Sequence, residues 1–140
     1  MSERGEGPDL GPGVAQVLGA EPVEVGAGRA RVRYRARPEW RIPSNRVQGG
    51  FVAAMIDHAM AAAVHSVLDP GEFHTTIELK VNYFRGAPVE TLTAEAAVLR
   101  RGRRTAYVEA TLYDGAGEMV ARATSTFMIL PRTELVPGEG

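Results

Sequence analysis

The chain has 140 residues, 44% of them hydrophobic, with 16 Lys and Arg against 17 Asp and Glu and no cysteine. That length fits one compact domain with a sizeable core and is short for two, and the near-neutral balance gives neither nucleic acid nor a membrane surface an electrostatic reason to bind. The missing thiol excludes disulfides, thiolate zinc sites and a cysteine nucleophile, and a reducing cytoplasm is the expected compartment.

Residues 1–13 are rich in Gly, Pro and acid and lack the apolar stretch of a signal peptide. A flexible leader is expected there, followed by a domain over 14–130 and a loose tail over 131–140. Between 22 and 37 the residues alternate, with Ala30, Val32, Tyr34 and Ala36 on one side and Arg29, Arg31, Arg33, Arg35 and Arg37 on the other. Period two with one basic side predicts a half-buried antiparallel strand whose arginines are its solvated face. Residues 38–46 then read as an irregular connection, with Pro43 and Asn45 as breakers.

Gln48-Gly49-Gly50 opens an almost wholly apolar helical run over 51–68 that carries one carboxylate, Asp57, in its middle. A helix hydrophobic all round belongs in a core, and an ionised carboxylate there is costly unless something uses it. The run is not a membrane span, because Asp57, His58 and His65 interrupt it and Asp69-Pro70-Gly71 ends it. Four segments rich in Val, Thr, Ile, Tyr or Phe follow, at 75–84, 91–100, 105–113 and 119–130, separated by Gly- and Pro-containing turns. The pattern predicts an antiparallel meander. One strand, one long helix and four further strands make an α+β domain, a curved antiparallel sheet that must wrap the helix.

The chemistry of this run points to a site. Unpaired backbone N–H groups and the positive dipole end converge where Gly49 and Gly50 open the helix, so an oxyanion can be held there, although glycines also serve plain turns. Asp57 is the stronger signal, since buried carboxylates concentrate at functional sites. Eight residues of helix separate Gly49 from Asp57 by about 12 Å, so one reacting carbonyl reaches both only if a second subunit supplies one of them. His58, His65 and His74 do not suggest a metal centre: the first two are about 10 Å apart on the helix and no HExxH spacing occurs.

Taken together, Gln48-Gly49-Gly50, Asp57, the segment from Thr75 through Tyr83 and Gly102-Arg103-Arg104-Thr105 resemble the hot-dog-fold acyl-CoA thioesterases of the phenylacetate-pathway (PaaI-like) type. The resemblance covers roughly 43–130. It implies a helix held in a curved sheet, a homodimer or homotetramer, and hydrolysis of acyl-CoA to free acid and CoA at the subunit interface, with no cofactor and no metal. Asp57 would be nucleophile or general base and Gly49 and Gly50 the oxyanion hole. The family also places a Ser or Thr beside the carboxylate to hold water, and spacing selects Thr75. Gln48 stands where many relatives have His, and keeps an amide able to orient substrate but unable to do acid-base work. Ile42 stands where they have Asn, with Asn45 nearby as a substitute amide. Phe51, Met55, Met60 and Phe84 would line the acyl pocket. Arg100, Arg101, Arg103 and Arg104 crowd one turn, and Arg103 and Arg104 are the expected contacts to the CoA phosphates, since the guanidinium fork suits phosphate; a solvated basic turn is the competing reading. Two other functions fit the same residues less well. A hot-dog enoyl-CoA hydratase would pair its Asp with a histidine a few residues on, whereas His58 is adjacent. A non-catalytic acyl-CoA sensor would keep the arginine turn and could dispense with Asp57.

Overall fold

The run after Gln48 becomes a helix because its start is capped and its sequence has no breaker. The Gln48 side-chain oxygen accepts the Gly50 N–H at 2.8 Å, and the helix α2, Gly49–His65, continues without interruption to Ser66. In the computed structural model, which describes residues 13–134, α2 is preceded by a single-turn helix α1 (Val14–Val17) and by strands β1 (Glu21–Gly26) and β2 (Arg29–Arg35). It is followed by β3 (Glu72–Tyr83), β4 (Thr91–Arg101), β5 (Thr105–Tyr113) and β6 (Met119–Pro131). The expected leader over 1–12 and the tail over 135–140 lie outside the described residues. Structure does extend past 130, because Pro131 still pairs with Glu72 and residues 132–134 form a 3-10 turn.

All six strands form one antiparallel sheet in the order β1-β2-β4-β5-β6-β3. Two expectations need correction. The basic alternation is preceded by a second strand, and the two form a hairpin whose turn places Ala27 and Gly28 at positive φ of 53° and 78°; a left-handed alanine gives no strong turn signal in sequence. The four later strands are also not a simple meander, because β3 pairs with β6 at the far edge and not with β4. Several exposed arginines of β2 face glutamates, Arg31 with Glu24 and Glu95 and Arg33 with Glu21, in agreement with a solvated face.

The core lies between the sheet and α2. Val52, Met55, Ile56, Ala59, Met60, Ala63 and Val64 are buried against Val32, Tyr34, Leu92, Val108, Leu112 and Phe127 of the strands. The helix is not enclosed all round: Ala53, Ala54, Asp57, His58 and Ala61 are only partly covered. Among the described residues no helix is long and apolar enough to cross a membrane.

The irregular connection is anchored by Trp40, which sequence reading passed over. Its ring is 4% exposed and stacks on Phe51 at 4.6 Å, and its carbonyl accepts the Gln48 N–H at 2.8 Å. Trp40 therefore sets the entry of the chain into α2. Trp40→Ala should cost about 3–5 kcal/mol, as large core truncations do, with urea unfolding as the measurement; a loss under about 1 kcal/mol, the scale of a surface change, would remove Trp40 from this role.

Candidate active site

Asp57 sits midway along α2, on the half-covered side that faces β3. Its Oδ1 accepts a hydrogen bond from Thr76 Oγ1 at 2.8 Å, and its second oxygen has no hydrogen-bond partner among the described residues. The hydroxyl beside the carboxylate is thus that of Thr76 and not of Thr75, which is exposed and points to the outer face, opposite Met128 of β6. Spacing alone misplaced it by one residue, and in a strand one residue changes the face.

The helix start holds the other candidate groups. Gly50 N–H is satisfied by Gln48 Oε1, whereas Gly49 N–H has no acceptor among the described residues. Gln48 therefore acts here as a cap. Tyr83, at the end of β3, donates its hydroxyl to the Gly49 carbonyl at 2.7 Å, and its ring would lie 3.5 Å from a side chain at position 49. Burial raises the Tyr83 phenol above its ordinary pKa, so it remains a donor. A side chain at position 50 would instead meet Gln48 Oε1 at 2.7 Å, displacing the cap.

The remaining expected contacts separate. Asn45 occupies a left-handed turn position at φ 63°, where its N–H bonds the Ile42 carbonyl and its exposed side chain bonds no described residue; turn chemistry accounts for it. Met55 and Met60 are fully buried core residues, Phe51 packs on Trp40, and Phe84 is 59% exposed. They do not line one pocket within a single chain. Of the crowded arginines, Arg101 is committed to structure: it pairs with Glu72 and with Asp69 and donates to the Gly102 carbonyl. Arg103 and Arg104 are exposed and make no ion pair among the described residues.

Two histidine arrangements flank the carboxylate. The Tyr34 hydroxyl lies 2.8 Å from His58 Nδ1. Burial, with the nearby Asp57 charge adding to it, pushes the Tyr34 phenol far above its usual range, so the phenol keeps its proton, and it donates to Nδ1 or accepts from Nδ1–H according to the imidazole tautomer. His74, two residues before Thr76 on the same face of β3, lies edge-on to His65 and to Phe127 at 6.1 and 5.5 Å between ring centres. Burial lowers the pKa of both His58 and His74, His65 lowers that of His74 further, and the Asp57 charge works the other way on each.

With this geometry in hand, residues 45–121 match the family described as the thioesterase superfamily. A solved phenylacetic acid degradation-related protein of Ralstonia eutropha is 35% identical, with 89% of this chain and 94% of that one covered and a TM-score of 0.80. A Bacillus halodurans protein solved with CoA is 32% identical, with 84% and 75% covered and a TM-score of 0.75. The 1,4-dihydroxy-2-naphthoyl-CoA hydrolase of Listeria monocytogenes is 21% identical over 117 residues, 84% of this chain and 95% of that protein.

Both lowered histidines make stability depend on pH with a definite sign. Their folded pKa values lie below the unfolded value near 6.5, so the unfolded state takes up protons first. The contribution is fully present above about pH 6.5 and is lost as pH falls from there through the folded values. Thermal midpoints should therefore drop between about pH 7 and pH 5, and His58→Gln or His74→Gln should each flatten that slope. An unchanged slope in both variants would contradict this origin.

Proposed function

The chain belongs to the thioesterase superfamily with a hot-dog fold, and we propose that it hydrolyses acyl-CoA thioesters to free acid and CoA with Asp57 as the reactive carboxylate. The observation that carries this reading is the carboxylate itself, one oxygen tied to Thr76 and the other left available on the partly covered side of α2. As general base, Asp57 takes a proton from water while the resulting hydroxide adds to the thioester carbon. The C–S bond then breaks and CoA leaves as the thiolate, which is protonated in turn. As nucleophile, the carboxylate adds directly, the C–S bond breaks to release CoA as the thiolate, and water cleaves the resulting anhydride to free acid and regenerated Asp57. Either way negative charge builds on the carbonyl oxygen, and an available backbone N–H at a helix start is suited to meet it.

Gly49 N–H is that donor, and about 12 Å of helix rise separates it from Asp57 of its own chain. The proposed unit is therefore at least a homodimer, each site taking Gly49 from one chain and Asp57 from the other. The partly covered Ala53, Ala54 and Ala61 around Asp57 support it, since small side chains let another chain approach. The outer edge of β3, unpaired among the described residues, supports it as well, because long strand edges seek a partner. For the CoA phosphates the proposed contacts are Arg103 and Arg104, and the CoA-bound relative supports a ligand of that kind.

Asp57→Asn should lower kcat by several orders of magnitude with the fold intact, as loss of a reacting group does; near-normal turnover of a panel of acyl-CoA substrates would end the assignment. Shared sites make a second test possible. Gly49 is the first residue of α2, where proline is well tolerated, so Gly49→Pro removes the N–H at little structural cost. Each variant alone should be inactive, and mixed Asp57→Asn and Gly49→Pro dimers should recover part of the activity. Verified heterodimers that recover nothing would place both groups in one subunit or leave one of them idle. Arg103→Ala with Arg104→Ala should raise KM for acyl-CoA with little change in kcat, less so at high salt, and should leave acyl-pantetheine hydrolysis unaltered; an equal loss on both substrates would assign the turn to structure.

A further inference from the structure

Strand β3 carries one extra residue. Thr76 faces Phe127 and Glu78 faces Thr126, so Ile77 is a bulge without a counterpart on β6. The bulge changes the parity of the strand. On its near side His74 and Thr76 face the helix; on its far side Leu79, Val81 and Tyr83 do, opposite Ser125, Ala123 and Ala121. An uninterrupted strand that kept Thr76 inward would also turn Glu78 and Lys80 into the core and Leu79 and Val81 out to solvent.

Ser125 is the fully buried polar residue at this place, 0% exposed on the inner face of β6 between Ala123 and Phe127. A buried hydroxyl needs a partner, and Ser125 Oγ donates to the Glu78 carbonyl at 2.6 Å, the backbone group at the foot of the bulge.

We propose that Ser125 is a positioning residue for the reaction: by holding the Glu78 carbonyl it fixes the bulge, and the fixed bulge keeps the Thr76 hydroxyl on Asp57. The inference rests on the reading of Asp57 and Thr76 as reacting machinery. It adds a residue on another strand that touches neither substrate nor carboxylate. Without the Ser125 hydroxyl the carbonyl loses its anchor, β3 gains freedom to slide or straighten, and Thr76 leaves hydrogen-bond distance of Asp57 for part of the time.

The test is a double-mutant cycle on hexanoyl-CoA and benzoyl-CoA hydrolysis with Ser125→Ala, Ser125→Cys, Thr76→Val and the combinations, together with crystal structures of the two Ser125 variants. Ser125→Cys keeps the side chain's place and has only a weak donor, so it separates the loss of the hydrogen bond from a cavity. Both Ser125 variants should lower kcat about tenfold and leave KM within about twofold, with the Thr76 to Asp57 contact lengthened or lost; in the Thr76→Val background the same changes should cost less than about twofold, the signature of residues acting through one contact. An equal loss in both backgrounds, or an intact Thr76 to Asp57 contact in the Ser125 variants, would overturn the proposal and leave the role of Thr76 standing. Normal turnover of Thr76→Val would overturn both. If neither thioester is hydrolysed by the unaltered protein, the crystal structures alone decide whether Ser125 holds Thr76 on Asp57.

Discussion

An ionised carboxylate cannot be pressed against an apolar sheet without losing its hydration, and Asp57 sits in the middle of a helix whose other residues are free of that penalty. This constraint fixes how α2 lies. Val52, Met55, Ile56, Ala59, Met60, Ala63 and Val64 take the sheet side, and the helix turns Asp57 toward the rim formed by β3, where Thr76 supplies a hydroxyl. The partly covered residues around Asp57 include Ala53, Ala54 and Ala61, with His58 directed to Tyr34 of β2, so the side of the helix that the sheet leaves open is rich in small side chains. The rotation that spares the carboxylate therefore makes it reachable.

The helix start is built with similar economy of parts. Trp40 holds the incoming chain through the Gln48 N–H and packs on Phe51 one turn into the helix, while Tyr83 binds the first carbonyl from the opposite side. Gln48 caps Gly50, and Gly49 N–H has no acceptor among the described residues. A side chain at position 49 would make only ordinary contact with the Tyr83 ring, at 3.5 Å, so packing does not demand glycine there; in the proposed reaction the missing side chain serves the approach of a ligand.

How much of this could be read beforehand depends on whether the signal was local. The long helix and its lone acid stood out because apolar runs and a misplaced charge are visible in sequence, and the strands at 105–113 and 119–130 were located to within a residue because Gly-rich turns delimit them. The features that escaped were non-local or violated a propensity. An Ala-Gly turn at positive φ hid the β1-β2 hairpin. The pairing of β3 with β6 is a choice between edges that no local pattern encodes. Thr75 and Thr76 are chemically identical neighbours, and only the pairing of the strand decides which of them faces Asp57. Trp40 carries no signal in sequence because its stacking partner Phe51 is identified only by the fold, and Tyr34 reads as an ordinary inward residue because the partner of its hydroxyl, His58, lies on another element. Met60 lies in the core and Phe84 is exposed in the single chain, a difference sequence does not carry because size and hydrophobicity suit a core and a pocket equally.

Two deficits of the single chain lie side by side. Among the described residues strand β3 keeps an unpaired edge over twelve residues, with Ile77 more than half exposed on it, and the helix face bearing Asp57 is incompletely covered next to that same strand, as the Thr76 contact requires. Each would be a liability in an isolated chain, the edge through aggregation and the helix through exposed apolar surface. In a dimer of the proposed kind, a second copy covering the edge would come to rest beside Asp57, and symmetry would repeat the contact at the other site. In the proposed dimer the contact that completes the sheet is thus also the one that can bring a foreign Gly49 to the carboxylate. Association and catalysis would draw on the same few residues of β3, and for that reason a change at its edge is expected to disturb turnover even where it touches no reacting group.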